Sequence, residues 1–280
     1  MIPREPGSSW VLDLDGVVWL GGTPIAGSVA AIASLRASGH RVGFCSNNSG
    51  PTTAQYLDRL NGMGIAASAD DVVSSATAVA TLVSPGERVL VVAGPGVQEA
   101  VVACGAEAVD ARIALAGNGS FGGFDAVVVG FHSDFDYQVM TAALRAVNHG
   151  ARLLATNTDP VYPTDSGPSP GCGAILASIE VATGQRAIVG GKPHQPMVDI
   201  VRARWGSHGV MVGDSPGTDG ALADALGWPF GLVLTGNTAR PLAQQTVGAR
   251  PDDGPPWQIA ERLETLVAAL AESAHTTVSS

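Results

Sequence analysis

The segment WVLDLDGVV, residues 10–18, determines how the rest of the chain is interpreted. It begins as an apolar run of the kind that a buried parallel strand needs, and it places two acids just before Gly16. Side chains two positions apart on a strand project to the same side, so the carboxylates of Asp13 and Asp15 would repel each other. A divalent cation offsets that repulsion most simply. In open α/β sheets, ligands bind at the carboxyl ends of the strands, where this pair is expected.

The overall composition excludes several classes of protein. The chain has 280 residues, of which 45% are hydrophobic, and a formal net charge of −10. Only 15 residues are Lys or Arg, so we expect no nucleic-acid partner, because phosphate backbones require dense basic surfaces. A chain of this length forms one large domain or two smaller ones, and we expect two.

The cysteines and the first residues bear on the cellular location. Cys45, Cys104 and Cys172 are widely spaced and odd in number, which fits neither a disulfide framework nor a zinc site. Residues 1–9 lack a basic region followed by an apolar core, and no charge-free apolar run reaches about 18 residues. We therefore expect reduced thiols, no membrane association and a cytoplasmic protein.

Strand and helix patterns alternate along the chain and restart once. Apolar strands over residues 10–14 and 41–45, with a helical pattern between them, predict a βαβ unit with parallel strands. The alternation restarts after the turn Ser84–Gly86 and returns near Gly184–Gly191. The segment Pro160–Gly173, rich in Pro, Gly and Ser, is expected to be a long loop.

Two groups of polar residues lie at predicted turns. Ser46 and Asn47 directly follow a strand, and a hydroxyl with backbone N–H groups at a helix start can bind an oxyanion or a phosphate. Lys192 lies between glycines and a proline that can start a helix. Each group also has a plainer interpretation, as a helix cap for the first and as a solvated turn lysine for the second.

A further pair of acids follows an apolar strand late in the chain. Asp214 ends the run over residues 210–212 much as Asp13 ends the first strand, and Asp219 follows five residues later. Asp219 alone could be a helix cap or a surface charge. The sequence thus places polar residues at four strand ends: an acid pair, a serine, a lysine and a further acid. Their joint occurrence by chance is much less expected than the occurrence of any one of them.

This combination resembles the haloacid dehalogenase-like hydrolase superfamily in its type IIA branch of phosphatases. That branch includes p-nitrophenyl phosphatase, phosphoglycolate phosphatase, pyridoxal phosphatase and NagD-like relatives. The resemblance covers nearly the whole chain, with residues 13–17 as the first motif, Ser46 as the second, Lys192 as the third, and Gly213–Asp214 with Asp219 as the fourth.

The resemblance implies an α/β fold with a Rossmann-like parallel sheet core, helices on both faces and an inserted α/β cap domain. With the boundaries above, the core is expected over residues 1–83 and 187–280, and the cap over 84–186.

The resemblance also implies a Mg²⁺-dependent phosphatase that acts through an aspartyl-phosphate. Asp13 would attack phosphorus, while Asp15 would protonate the leaving oxygen and then deprotonate water. Lys192 completes the implied catalytic set. Oxygen ligands suit Mg²⁺, and the implied ligands are Asp13, the backbone carbonyl of Asp15 and Asp214, with Asp219 in support. The implied phosphate-binding residues are Ser46, Asn47 and Lys192.

Substrate selection is expected in the cap, because the core residues are occupied with the phosphoryl group and its metal. The segment after Ala155 offers Asn157 and Asp159 as polar groups and Tyr162 as an apolar wall. The alternative is that Asn157 and Asp159 are turn residues. The expected partner is a small phosphorylated metabolite such as glycerol phosphate, phosphoglycolate or a sugar phosphate.

Two other functions stay open. A phosphotransferase of the same superfamily would return the phosphoryl group to a sugar, and a non-catalytic phospho-acceptor module would keep it without turnover. The presence of Asp15, a general acid and base two residues after the acceptor, favours hydrolysis over the module. The oligomeric state is also open, with a homo-oligomer as one alternative.

Overall fold

The computed structural model describes residues 7–116, 121–164, 167–250 and 254–276. Its contacts divide the chain into two compact units. The first unit comprises Met1–Ser46, Leu57–Val73 and Val198–Ser280, and the second comprises Asn47–Tyr56 and Ser74–Met197. The predicted core and cap boundaries at residues 84 and 187 stay a prediction.

Strands and helices alternate along most of the chain. The strands are β1 (Ser9–Leu12), β2 (Trp19–Leu20), β3 (Thr23–Pro24), β4 (Arg41–Ser46), β5 (Val72–Ser74), β6 (Arg88–Val92), β7 (Glu107–Asp110), β8 (Ala126–Val129), β9 (Arg152–Ala155), β10 (Val161–Thr164), β11 (Gly167–Pro170), β12 (Ile188–Val189), β13 (Gly209–Gly213), β14 (Phe230–Val233) and β15 (Trp257–Ala260). The α-helices are α1 (Ser28–Ala37), α2 (Thr53–Gly62), α3 (Ser75–Ala80), α4 (Pro95–Ala103), α5 (Ala111–Ala116), α6 (Tyr137–Asn148), α7 (Cys172–Thr183), α8 (Gln195–Trp205), α9 (Ala221–Leu226), α10 (Arg240–Gly248) and α11 (Leu263–Thr276).

The sheet of the first unit has the strand order β15-β14-β13-β1-β4-β5. Strand β1 is buried along its whole length and pairs in parallel with β13 on one side and β4 on the other. Its unbroken apolar sequence is typical of a parallel strand that is covered on both faces. Leu12 lies opposite Val212 and Phe44, so the carboxyl ends of the three strands lie side by side.

The second unit contains a parallel sheet with the order β12-β9-β8-β6-β7. Successive residues of β6 pack into different hydrophobic clusters: Leu90 joins side chains of α5, α6 and α7, whereas Val91 joins side chains of α3 and α4. Since neighbouring strand residues project to opposite faces, this sheet is covered by helices on both faces. The predicted α/β class with parallel sheets flanked by helices is confirmed.

The prediction of a long loop over Pro160–Gly173 is wrong. In this segment β10 and β11 form an antiparallel ribbon in which Pro163 lies opposite Pro168. Proline lowers the strand propensity of any segment, but two prolines that face each other occupy a pair in which neither N–H is needed. The sequence pattern also missed the strand β15. It predicted a helix over Pro216–Leu226, which the structure forms as a π-helical turn, Pro216–Gly220, followed by α9.

Among the helices of the described ranges, none combines the length and the apolar character that crossing a bilayer requires.

Close packing of β4 against α8 gives a stability test. A Cβ atom added at Gly43 would overlap the buried indole ring of Trp205. Gly43→Ala is therefore expected to lower the free energy of unfolding by roughly 1–3 kcal/mol through overpacking. Gly62→Ala is the control, because a Cβ atom there would have nothing within 4 Å. Urea unfolding of both variants makes the comparison, and equal midpoints would contradict the described contact.

Candidate active site

A cluster of three buried carboxylates lies at the carboxyl ends of β1 and β13. Asp13 directly follows β1, Asp214 directly follows β13, and Asp219 lies in the π-helical turn beyond it. One carboxylate oxygen from each lies within 4.8 Å of the others. The side chains are 7%, 2% and 0% exposed, respectively. The structure thus brings together three of the acids that the sequence singled out.

The position of Asp214 is fixed by the main chain around it. Its Oδ2 accepts a hydrogen bond from the backbone N–H of Asn237 at 2.5 Å. A Cβ atom at Gly16, which has φ of 84°, would lie 2.6 Å from Oδ2, and one at Gly236 would overlap the same oxygen. Thr235 Oγ1 also donates to the carbonyl of Gly16 at 2.5 Å. Asp214 therefore occupies a space that only glycines leave open.

Asp219 is held in a similar way. Its Oδ2 accepts from the backbone N–H of Ser215 at 3.1 Å. A Cβ atom at Gly213 would overlap the Asp219 carboxylate. The sequence assigned Asp219 only a supporting role, but one of its carboxylate oxygens lies within 4.8 Å of a carboxylate oxygen of Asp13 and of Asp214. The interpretation of Asp219 as a surface charge is wrong, because the residue is fully buried.

The donor set of this cluster fits a hard divalent cation. Oxygens of like charge at this separation repel each other by roughly 3 kcal/mol or more per pair at an effective dielectric constant of about 20. All three donors are carboxylate oxygens, the ligand type that Mg²⁺ and Ca²⁺ prefer, and no imidazole or thiolate belongs to the group. Asp13, Asp214 and Asp219 are therefore the residues that would hold Mg²⁺.

Asp15 lies next to this cluster in sequence but is oriented by a different contact. Its Oδ1 accepts a hydrogen bond from the indole Nε1 of Trp19 at 2.9 Å, and the turn is closed by a bond from Gly16 N to Trp19 O at 2.7 Å. The guanidinium of Arg59 lies over the Trp19 ring at 4.9 Å. Asp15 is half-buried, so its carboxyl is positioned by an aromatic partner and remains partly accessible.

Ser46 is the last residue of β4 and is 1% exposed. Because β4 pairs directly with β1, Ser46 ends its strand at the same sheet edge as Asp13.

Lys192 lies in a turn of the second unit, after β12. Lys192 is 3% exposed, so its interpretation as a solvated turn lysine is wrong. Its turn is packed tightly: Cβ atoms at Gly190 and Gly191 would overlap, or nearly overlap, the main chain of Val79 and Thr156, respectively. Partial desolvation also lowers the pKa of His194, which lies two residues further along the chain.

Asn157 and Asp159 lie in the turn after β9. Asn157 is 3% exposed, and its Oδ1 accepts from the Asp159 N–H at 3.0 Å. Its Nδ2 donates to the carbonyl of Asn47 at 2.7 Å. Asn157 thus has the contacts of a turn residue, whereas Asp159 is only half-buried. Tyr162 lies in β10, and its side chain is outside the described part of the structure.

The sequence interpretation missed the residues that orient the acids. Trp19 and Asn237 are ordinary apolar and polar residues in the sequence, and nothing in their spacing links them to Asp15 and Asp214. A usable signal existed for the second contact, because Thr235–Asn237 follows β14, and β14 pairs with β13. Polar residues after a neighbouring parallel strand reach the same edge of the sheet.

Comparison with known proteins identifies relatives across most of the chain. A model of haloacid dehalogenase-like hydrolases matches residues 10–107, and a HAD-hydrolase-like model matches residues 189–265. D-glycerol 3-phosphate phosphatase of Mycobacterium tuberculosis is 33% identical over 235 residues, which cover 81% of this chain and 62% of that enzyme. The chain therefore spans less than two thirds of the length of this relative. Human glycerol-3-phosphate phosphatase is 32% identical over 251 residues, which cover 81% of this chain and 78% of that enzyme.

A solved structure agrees with these relatives. The glycerol phosphate phosphatase of Mycobacterium tuberculosis in complex with magnesium matches with a TM-score of 0.81 and 32% identity. The match covers 94% of this chain and 77% of that one.

The glycine packing around Asp214 predicts an effect on metal affinity. Gly236→Ala is expected to weaken Mg²⁺ binding by roughly ten- to a hundredfold, because the added methyl group takes the space of the ligand oxygen. Gly217→Ala is the matched control in the neighbouring turn, since a Cβ atom there has nothing within 4 Å. Calorimetric titration with Mg²⁺ measures both, and equal affinities would contradict the assignment of Asp214 as a ligand.

Proposed function

The chain belongs to the haloacid dehalogenase-like hydrolases, in their type IIA phosphatase branch, and we propose that it is a Mg²⁺-dependent phosphatase of small phosphomonoesters. The observation that carries this proposal is the group of three buried carboxylates at the ends of β1 and β13. Such a group has little use in a core that only needs to be stable, because burying like charges together costs free energy. It is useful where a cation and a phosphoryl group are bound together.

The proposed reaction uses Asp13 and Asp15 in turn. A carboxylate oxygen of Asp13 attacks phosphorus while the bond from phosphorus to the ester oxygen breaks, and the carboxylic acid of Asp15 donates a proton to that leaving oxygen. The carboxylate of Asp15 then takes a proton from a water molecule, whose oxygen attacks phosphorus. Inorganic phosphate leaves, and the Asp13 carboxylate is regenerated. The Trp19 indole supports this role by fixing the orientation of the Asp15 carboxyl.

Charge compensation is the second requirement of the proposal. When bound, Mg²⁺ neutralises part of the negative charge of the phosphoryl oxygens. Asp13, Asp214 and Asp219 would hold it, with the backbone carbonyl of Asp15 as a further oxygen donor. Ser46, the backbone N–H of Asn47 and Lys192 are proposed to bind the phosphoryl oxygens.

The substrate is proposed to be a small phosphorylated metabolite, such as glycerol phosphate, phosphoglycolate or a sugar phosphate. The relatives named glycerol-3-phosphate phosphatase support this size class. We propose residues 84–186 as the cap that selects the ester. Asn157, Asp159 and Tyr162 are proposed to contribute to this selection. Both polar groups of Asn157 already have partners, the carbonyl of Asn47 and the N–H of Asp159, so the half-buried Asp159 is the better candidate to contact the substrate. The acidic net charge of −10 supports the absence of a nucleic-acid partner.

Metal dependence tests the proposed activity directly. We expect release of inorganic phosphate from members of a panel of small phosphomonoesters, complete loss after exhaustive EDTA treatment, and recovery when Mg²⁺ is restored. The same assay with added acceptor sugars separates hydrolysis from phosphotransfer, which would yield a new ester instead of phosphate. Full activity in the chelated protein would contradict the metal assignment.

The roles of the two acids are separated by matched amide variants. Asp13→Asn is expected to remove measurable turnover on every ester, because the nucleophile is lost. Asp15→Asn should still be phosphorylated by p-nitrophenyl phosphate, whose leaving group scarcely needs protonation, and should then stall without the water-activating base. Mass spectrometry of the stalled protein locates the phosphate. Phosphate on Asp15 of the wild-type protein would reverse the assignment.

A further inference from the structure

The side chain of Asn47 is the centre of a hydrogen-bond network in the second unit. Its Oδ1 accepts from the backbone N–H of Lys192 at 2.8 Å, and its Nδ2 donates to the carbonyl of Lys192 at 3.3 Å. The same Nδ2 donates to Oδ2 of Asp159 at 3.0 Å. The partners fix the orientation of the amide, because an N–H needs an acceptor while a carbonyl and a carboxylate need donors. One side chain thus holds the main chain of Lys192 and also binds Asp159.

The main chain of Asn47 is held as firmly as its side chain. Its carbonyl accepts from Nδ2 of Asn157 at 2.7 Å and from Oγ of Ser75 at 2.6 Å. Because the peptide unit is planar and trans, the N–H of Asn48 points away from these two donors. The orientation of the loop that follows Ser46 is therefore set by contacts from two other parts of the second unit.

Lys192 needs this support because its own side chain is long. A lysine has four rotatable bonds and a compact ammonium group, so the protein directs it by fixing its main chain and burying its stem. The packing of Gly190 and Gly191 fixes the turn before Lys192. The side-chain amide of Asn47 fixes both the backbone N–H and the backbone carbonyl of Lys192.

We propose that Asn47 is a positioning residue whose side chain orients Lys192 and Asp159 and does not itself bind phosphate. This inference rests on the proposed phosphatase function for its kinetic consequences. It couples the lysine assigned to the phosphoryl group with the acid assigned to the substrate, through a single carboxamide.

The conservative variant Asn47→Asp removes the Nδ2 donor of Asn47 and so tests its contribution separately. It keeps the oxygen that accepts from Lys192 N–H, but it places a second acceptor against Asp159 Oδ2 and the Lys192 carbonyl. We expect kcat to fall roughly a hundredfold through misplacement of Lys192, with Mg²⁺ affinity unchanged because the carboxylate cluster is intact. Activity relative to wild type should recover as the pH is lowered, since the new carboxyl donates a hydrogen bond once it is protonated.

The exchanged pair tests the coupling itself. Asn47→Asp combined with Asp159→Asn restores a donor and an acceptor between the two side chains, and we expect the double variant to exceed Asn47→Asp in kcat. Losses that simply add would show that the two side chains act independently and would overturn the inference. Asn61→Ala, in the first unit, is the control. The Asn61 side chain likewise accepts from the backbone N–H of one residue, Ala67, and donates to the carbonyl of that residue. It is expected to leave kcat and KM unchanged.

Hydrogen exchange gives a readout that does not depend on activity. Loss of the Oδ1 acceptor in Asn47→Ala should increase the exchange rate of the Lys192 amide, whereas Asn47→Asp should preserve its protection. Unchanged protection in Asn47→Ala would overturn the positioning role even if the wild-type protein hydrolyses phosphomonoesters. A wild-type protein without phosphatase activity, but with the expected exchange pattern, would refute only the proposed function.

Discussion

The mutual repulsion of Asp13, Asp214 and Asp219 is the constraint around which the first unit is arranged. Parallel pairing of β1 with β13 brings the first two acids to one edge, and the π-helical turn returns the third to the same place. Three buried negative groups are tolerated only where the main chain supplies donors and a cation supplies charge. The amides of Asn237 and Ser215 are such donors, and the oxygen-only donor set suits the cation.

Much of this arrangement could be predicted from the sequence because the strands of a parallel sheet leave an unambiguous pattern. Asp13 and Asp214 each end an unbroken apolar run, and the rule that ligands bind at the carboxyl ends of strands places them together. The ribbon of β10 and β11 could not be predicted, because its prolines argue against strands and its pairing depends on register. The Trp19 contact could not be predicted either, since it depends on how the turn after Asp15 packs.

The second unit shows where a motif alone is ambiguous. The sequence around Lys192 fits a solvated turn as well as a functional lysine, and only burial separates the two. The glycines before it explain that burial, because the turn approaches the main chain of Val79 and Thr156 more closely than any side chain would permit. Asn157 Nδ2 donates to the carbonyl of Asn47, and its predicted role in substrate selection stays a prediction.

The confinement of Asp214 between Gly16 and Gly236 has a consequence for ionic selectivity. A carboxylate that cannot rotate away sets the dimensions of its coordination shell through the backbone instead of through flexible rotamers. Mg²⁺ binds oxygen at about 2.0–2.1 Å with strict octahedral geometry, whereas Ca²⁺ needs about 2.3–2.6 Å and more ligands. If Asp214 holds the metal, a shell of fixed width would favour one of these ions by radius, and that preference would come from glycines that never touch the metal.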